Sequence, residues 1–497
     1  MSKCSHTYVL LSLAFIIVNL LTLSHLRPWI DEVMMLDTAY NAAFHGRWQT
    51  TAWYRVVGQY PFPTYPPLYQ MLAAAWMRLF GSSLVAVRSI NLLLTFLLGG
   101  ACLRMMKRQG LALSVWATVL FTLLLWGTGE MAWMYRNGRP DMLCALLVAT
   151  AILAARRYLA SESPSTRIAV IAASAALACS GLQAVVYLCA LWSFCFIADR
   201  ERRKPYIRLL VLMLTGFSLG IPSVALFMLA HGRLVAFASS IVQYSATLSS
   251  LALTVVPWAS DVLGFDAIPY TQKLLQLTTK MSLGQRLLSI AAYRSFLILA
   301  AITLAAYISC YRNSLRLLLS DAGFQTWLFA LCTPIVMVLA GRFPVYYHWM
   351  AFLPLLLSVT LMAVRSRVWC AVFCVAAFTM SAFGIRSMLS DGQGDYSRLQ
   401  SFIGRQAFKK SDVVVCPFSV FYEIKPLCDT CYFAGIFPTE YISHADYIIE
   451  APDGDAYDKP VTDYLNKLKA DSTLTITAID TCENPSLTLY QVKKKHE

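Results

Sequence analysis

The sequence predicts an all-α polytopic membrane protein of about 11 transmembrane helices, followed by a small C-terminal α/β domain outside the membrane. Three observations predict it. Hydrophobic residues make up 58% of the 497 positions and charged residues only 14%, against about 25% charged in an ordinary soluble domain. A soluble chain this apolar lacks the polar surface to cover itself. Charge is also unevenly divided. Residues 1–389 hold 30 Lys and Arg against 11 Asp and Glu, net +19, whereas residues 390–497 hold 11 against 16, net −5, which together give the chain's +14. Finally, apolar runs of spanning length recur through the first 389 residues and then stop. The positive charge is thus the sum of loops around a membrane body, and a nucleic-acid partner is not implied.

A spanning helix needs about 20 mostly apolar residues. Such runs cover roughly 8–26, 83–103, 111–128, 141–155, 167–181, 182–198, 207–230, 287–309, 322–341, 348–364 and 368–388. Only Ser180-Gly181 separates the fifth from the sixth, so that pair is expected to be a closed helical hairpin. The first run is followed by Arg27-Pro28-Trp29 rather than by small residues, so it reads as an uncleaved helix and not a signal peptide. The stretch 244–257 is apolar but short and is expected on the membrane surface. With the N-terminus cytoplasmic, the inside loops hold Arg104/Lys107/Arg108, Arg156/Arg157/Arg167, Arg200/Arg202/Arg203/Lys204/Arg208, Arg312/Arg316 and Arg365/Arg367, as the positive-inside rule requires. This orientation leaves three segments outside: 27–82, 231–286 and the tail 390–497. The compact loops favour a bacterial inner membrane, with the tail periplasmic and the chain a monomer.

Within the tail, Asp412–Cys416 and Asp446–Glu450 read as strands. Val461–Ala470 reads as a short helix, and Leu474–Ile479 with Leu487–Val492 as paired strands. Of the 14 cysteines, Cys416, Cys428, Cys431 and Cys482 lie in the tail. Their even number on an oxidising side suits two disulfides; free thiols or a metal at Cys428-Asp-Thr-Cys431 are the alternatives.

Acids beside a membrane are expensive and mark functional positions. Of the 11 before residue 390, Glu162, Asp199, Glu201 and Asp321 fall on the cytoplasmic side, leaving Asp31, Glu32, Asp37, Glu130, Asp141, Asp261 and Asp266 outside. Asp31-Glu32 follows the first span. Adjacent carboxylates near a lipid boundary repel one another and shed water, an environment suited to a general base; the bland alternative is a solvated pair at a helix end. Asp141 closes Tyr135-Arg136-Asn137-Gly138-Arg139-Pro140-Asp141, either as the capping acid of the fourth span or within a cationic cluster that suits a phosphate. Arg342-Phe343-Pro344-Val345-Tyr346-Tyr347-His348-Trp349 combines phosphate donors with aromatics that either line a site or belong to the interfacial belt. The loop 27–82 is rich in aromatics, suggesting amphipathic helices on the membrane, and Tyr65-Pro66-Pro67-Leu68-Tyr69 opens a further helix over 68–80.

The order of these features resembles the membrane-embedded GT-C glycosyltransferases. It runs from a first span to Asp-Glu at its outer end, a long amphipathic loop, Pro-Pro-Leu opening a helix that ends in Leu-Phe-Gly, Arg88 in the next span, and Arg139-Pro140-Asp141 outside. The pattern is similar to the protein O-mannosyltransferases and the lipid A aminoarabinose transferases. It covers residues 8 to about 160 well, Arg342–Pro354 loosely, and the stretch between only as apolar spans. The resemblance implies transfer of a sugar from a polyprenyl-phosphate donor to a lipid, glycan or protein acceptor on the periplasmic face, with inversion. It assigns Asp31 as general base, with Glu32 beside it and Asp141 as a second acid. Arg139, Arg342 and His348, backed by Arg136 and Arg88, are then expected on the donor phosphate, and Tyr346, Tyr347 and Tyr65 around the substrate. The oligosaccharyltransferase branch needs a divalent metal, but its acidic motifs are not matched beyond Asp31-Glu32, so no metal or other cofactor is expected. The alternatives are a lipid-linked sugar transporter or flippase, or a polysaccharide ligase. The first is expected to show paired Gly/Pro interruptions in two halves; Pro222 and Pro334 are unpaired.

Overall fold

The computed structural model describes every residue except 1–2, 51–65, 109–110, 199–202, 233, 235–289, 291–292, 341–344, 391–394, 433–441, 443, 453–458 and 496–497. Helix α1 (Lys3–Thr22) ends in a 3-10 turn (Leu23–His25) and is followed by α2 (Ile30–His45), α3 (Leu68–Phe80), α4 (Leu84–Arg108), α5 (Val115–Gly127), α6 (Gly129–Tyr135) and α7 (Asp141–Ala160). Next come α8 (Pro164–Ala178), α9 (Leu182–Ala198), α10 (Arg203–Ala230), α11 (Arg294–Tyr311), α12 (Leu315–Ser320), α13 (Ala322–Ala340), α14 (Trp349–Arg365) and α15 (Arg367–Ser390). The tail contributes α16 (Asp395–Gly404), β1 (Val413–Val415), α17 (Phe421–Ile424), β2 (Thr430–Tyr432), β3 (Tyr447–Glu450), α18 (Lys459–Lys469), β4 (Leu474–Glu483) and β5 (Ser486–Lys494).

The chain is a multi-pass membrane protein. Where the residues are described, each of the 11 expected apolar runs coincides largely with a helix. Among the described residues, six helices are long and apolar enough to cross a membrane, or seven if the bent pair α5–α6 is one span; α8, α9, α13 and α14 are shorter. Among the described residues the length criterion accounts for six or seven of the 11 expected spans. Large apolar side chains stay exposed along these helices, Leu21 at 72%, Leu226 at 65% and Phe383 at 67%, as a lipid-facing surface requires. Helix α14 differs: it is buried along nearly its whole length and packs against α11, α13, α15 and α5. A helix enclosed by other helices need not be long enough to face lipid throughout.

Two local features shape the site end of the bundle. The pair α5–α6 bends by 62° where α15 presses on the break. A side-chain carbon on Gly127 would lie 2.1 Å from Ser381 Oγ, and one on Gly384 would lie 2.0 Å from the Gly127 carbonyl oxygen. Only glycines allow that approach. The expected hairpin is present as α8 and α9, joined by Cys179–Gly181. The stretch 244–257, Asp261 and Asp266 lie outside the described residues.

The tail is a five-stranded sheet in the order β2-β1-β3-β5-β4. Strands β2, β1 and β3 run parallel, and β5 pairs antiparallel with both β3 and β4. Four strands and α18 fall where the sequence predicts them. Strand β2 was not predicted, because three residues are too few to show alternation. It carries Cys431, whose Sγ lies 3.2 Å from that of Cys416. None of the four tail cysteines is in a disulfide, so the expected pair of disulfides is not formed, and three of them, Cys416, Cys428 and Cys431, are buried.

Candidate functional site

The site is built on the first turn of α2. Pro28-Trp29 stops the chain from continuing the first helix. Glu32 Oε2 then accepts a hydrogen bond from the Trp29 amide at 3.3 Å, capping the new one. This capping fixes Asp31 and Glu32 on a helix end, where the two neighbours meet different partners.

Glu32 meets Arg88 of α4. Arg88 Nε donates to Glu32 Oε1 and Nη2 to Oε2, each at 2.8 Å, and both side chains are fully buried. The other Arg88 donors go to the carbonyls of Leu23 (2.8 Å), Leu26 (2.6 Å) and Arg27 (3.1 Å). All five guanidinium N–H groups are therefore committed, and the expectation that Arg88 backs a donor phosphate is corrected: it has no donor left to offer. The pair tethers α4 to α2 and to the end of the first helix.

Asp31 meets Arg139. Arg139 Nη1 donates to Asp31 Oδ2, and Nε donates to Asp141 Oδ2 at 2.9 Å. One guanidinium thus joins both acids in a single pocket. Arg139 and Asp141 are buried, whereas the Asp31 carboxylate is 26% exposed. The partly exposed Asp31 carboxylate is the end of this assembly that a substrate can reach. The Tyr346 ring lies 4.0 Å from the guanidinium carbon and the Trp29 ring 5.1 Å, so Arg139 sits against two aromatic faces, a favourable place for a cation.

The turn carrying Arg139 is held tightly. Asn91 Nδ2 donates to the Arg139 carbonyl at 2.9 Å and also to the Asn137 carbonyl. Arg136 Nη2 donates to the Thr22 carbonyl at 2.6 Å, so Arg136 binds the end of α1 and is itself buried. A side-chain carbon on Gly138 would lie 2.2 Å from Leu36 Cδ1 and 2.9 Å from Glu32 Oε1. The glycine lets the turn lie directly on α2.

Other expected residues group around Tyr346. Tyr347 packs edge-on against it with centroids 4.8 Å apart. His348 is fully buried at the start of α14, stacked on Tyr293 at 4.6 Å and flanked by Phe296 and Phe352. Arg342 and Tyr65 lie outside the described residues. Trp133 packs edge-on against Trp29 at 5.0 Å. Beyond it opens a cavity of about 680 Å³ between α6, α11 and α15, lined by Glu130, Arg294, Ile298, Met380 and Phe383 among others.

Several residues of this assembly carry no local sign in the sequence. The tail reaches the site: Lys425 Nζ lies 3.1 Å from Asp37 Oδ1 on α2, and both side chains are buried. Tyr422 is buried beside Glu32; burial first, and then that carboxylate, push its phenol well above the ordinary range. Asp37 was already marked as an outside acid, but its partner lies hundreds of residues away.

ArnT from Cupriavidus metallidurans, in a crystal structure bound to undecaprenyl phosphate, matches with a TM-score of 0.54 and 13% identity over 97% of each chain. The arabinofuranosyltransferase AftD from Mycobacteria matches with a TM-score of 0.51 and 12% identity, over 100% of this chain and 40% of AftD. No family model and no curated protein matches the sequence. The chain has the GT-C glycosyltransferase fold. Within the GT-C fold the donor set bears on metal chemistry. Asp31 and Asp141 already share the Arg139 guanidinium, and Glu32 is saturated by Arg88. Among the described residues no group of three or more His, Cys, Asp or Glu is placed to hold a metal ion. These side chains do not fit a divalent cation.

Proposed function

We propose that this protein is an integral-membrane glycosyltransferase that moves a sugar from a polyprenyl-phosphate donor to a lipid, glycan or protein acceptor on the periplasmic face of the inner membrane, with inversion. The observation that carries the reading is the Asp31–Arg139–Asp141 assembly. Asp31, its exposed member, takes the proton from the acceptor hydroxyl as the acceptor oxygen attacks the anomeric carbon. The bond from that carbon to the donor phosphate breaks, and polyprenyl phosphate leaves. Asp141 holds Arg139 from its buried side and contacts the sugar. Arg139, Arg136, Arg342 and His348 stabilise the leaving phosphate, with Tyr346, Tyr347 and Tyr65 lining the sugar subsite. The apolar cavity beyond Trp133 supports a lipid-linked substrate.

Mass spectrometry of envelope lipids and glycoproteins from a strain lacking the gene tests this reading. One modified lipid, glycan or protein is expected to disappear and to return with the wild-type gene but not with Asp31→Asn. A profile unchanged by the deletion rejects it.

A further inference from the structure

Helix α2 is held at three points by three acids, each tied to a different part of the chain. Asp31 is bound to the turn before α7, Glu32 to α4, and Asp37 to the tail. The third anchor is unlike the first two because it crosses from the membrane body to the α/β domain. Asp37 Oδ1 meets Lys425 Nζ at 3.1 Å, with the two side chains 0% and 1% exposed. Asp37 Oδ2 accepts from Thr50 Oγ1 at 2.9 Å. The ammonium also faces the Asp429 carbonyl at 3.5 Å and the Tyr40 ring at 5.8 Å. Lys425 follows α17, in the connection between β1 and β2, and Tyr422 from the same helix packs beside Glu32. The connection is braced in turn, because Tyr396 of α16 hydrogen-bonds Glu423.

A buried ion pair adds little net stability over apolar packing of the same size, but it penalises any arrangement that separates the charges. An apolar contact would let the tail slide on α2; this one admits a single seat. Six residues separate Asp37 from Asp31, about 9 Å along a helix, so a shift at one is transmitted rigidly to the other.

We propose that Lys425 is a positioning residue: through Asp37 it seats α2, and with it Asp31, against the Arg139 assembly, which makes the tail a working part of the transfer site. This rests on the role given to Asp31 above.

The test uses the full chain in native envelope membranes, with a panel of undecaprenyl-phosphoryl hexoses and pentoses as probes and release of undecaprenyl phosphate as the readout. Hydrogen exchange over residues 30–37 is measured in parallel. In Lys425→Met and in Asp37→Asn, kcat is expected to fall roughly 10²-fold, the order seen for small misplacements of reacting groups. KM for the donor stays within about twofold, and exchange over 30–37 rises. Lys425→Arg, which keeps the charge, restores most of the turnover. If either single variant fails to accumulate, the double variant Lys425→Met/Asp37→Asn removes the unpaired buried charge; it is expected to fold, to exchange faster over 30–37 and to turn over slowly. Wild-type kcat in Lys425→Met, or unchanged exchange over 30–37, overturns the proposal. Wild-type protein that releases no undecaprenyl phosphate, while exchange over 30–37 still depends on Lys425, removes the transferase reading and leaves the seating of α2 standing.

Discussion

Asp31 and Glu32 are neighbours in sequence and each faces an arginine, yet their surroundings differ in every respect that matters for chemistry. Glu32 and Arg88 form a neutral pair, fully buried, with every guanidinium donor committed. Asp31 shares Arg139 with Asp141 and is partly exposed. The first assembly is finished and the second is open. A saturated ion pair fixes backbone; an unsaturated one at a surface can exchange a proton with something that arrives.

The sharpest way to break that comparison is at Asp31. Replacing it with Asn is expected to cost roughly 10²–10⁴-fold in sugar transfer while leaving the melting temperature of the detergent-purified protein nearly unchanged. Equal losses of activity and melting temperature would make Asp31 another structural acid. Glu32→Gln should behave in the opposite way. It leaves Arg88 buried without its countercharge, at a cost of about 3–5 kcal/mol, seen as a large drop in melting temperature or as failure to accumulate. A stable Glu32→Gln protein would contradict the division of roles.

Tyr346→Leu removes one aromatic face from Arg139. The expected loss is about 1–2 kcal/mol of cation–π stabilisation at a desolvated site, read as a modest rise in donor KM. The control lies at the far end of the bundle. Arg208 and Glu162 form a pair 64% and 39% exposed, and Arg208→Ala should change stability by only about 0–1 kcal/mol. A comparable loss from this exposed pair and from Glu32→Gln would mean that burial does not govern these contacts. Chelators should leave transfer unchanged, since Arg139 stands between the acids that a cation would need; inhibition reversed by added metal would refute that.

Much of this was legible in the sequence for a simple reason. Apolar runs about 20 residues long are their own signature, and acids in a membrane body are few enough to examine singly. Asp31 and Asp141 were marked in that way, Arg139 and Tyr346 as a cation and an aromatic in outside turns, and the four meet. What stayed hidden depends on contacts across long separations. No local pattern states that Arg88 turns to Glu32 rather than to a ligand, or that Lys425 pairs with Asp37. Nor does any local pattern state that Gly138 lets Leu36 and Glu32 approach the turn. Strand β2 is legible only once β1 lies beside it.

The seat of Lys425 also sets an order in time. Helix α2 is among the first parts made, and Lys425 emerges only after the whole membrane body has been synthesised. At roughly 5–20 residues per second, the interval is on the order of tens of seconds. Until Lys425 is made, Asp37 has no ammonium beside it and α2 has at most two of its three anchors. A nascent or truncated chain can therefore be inserted, and even largely packed, without being competent. Completion of the tail becomes the event that arms the site.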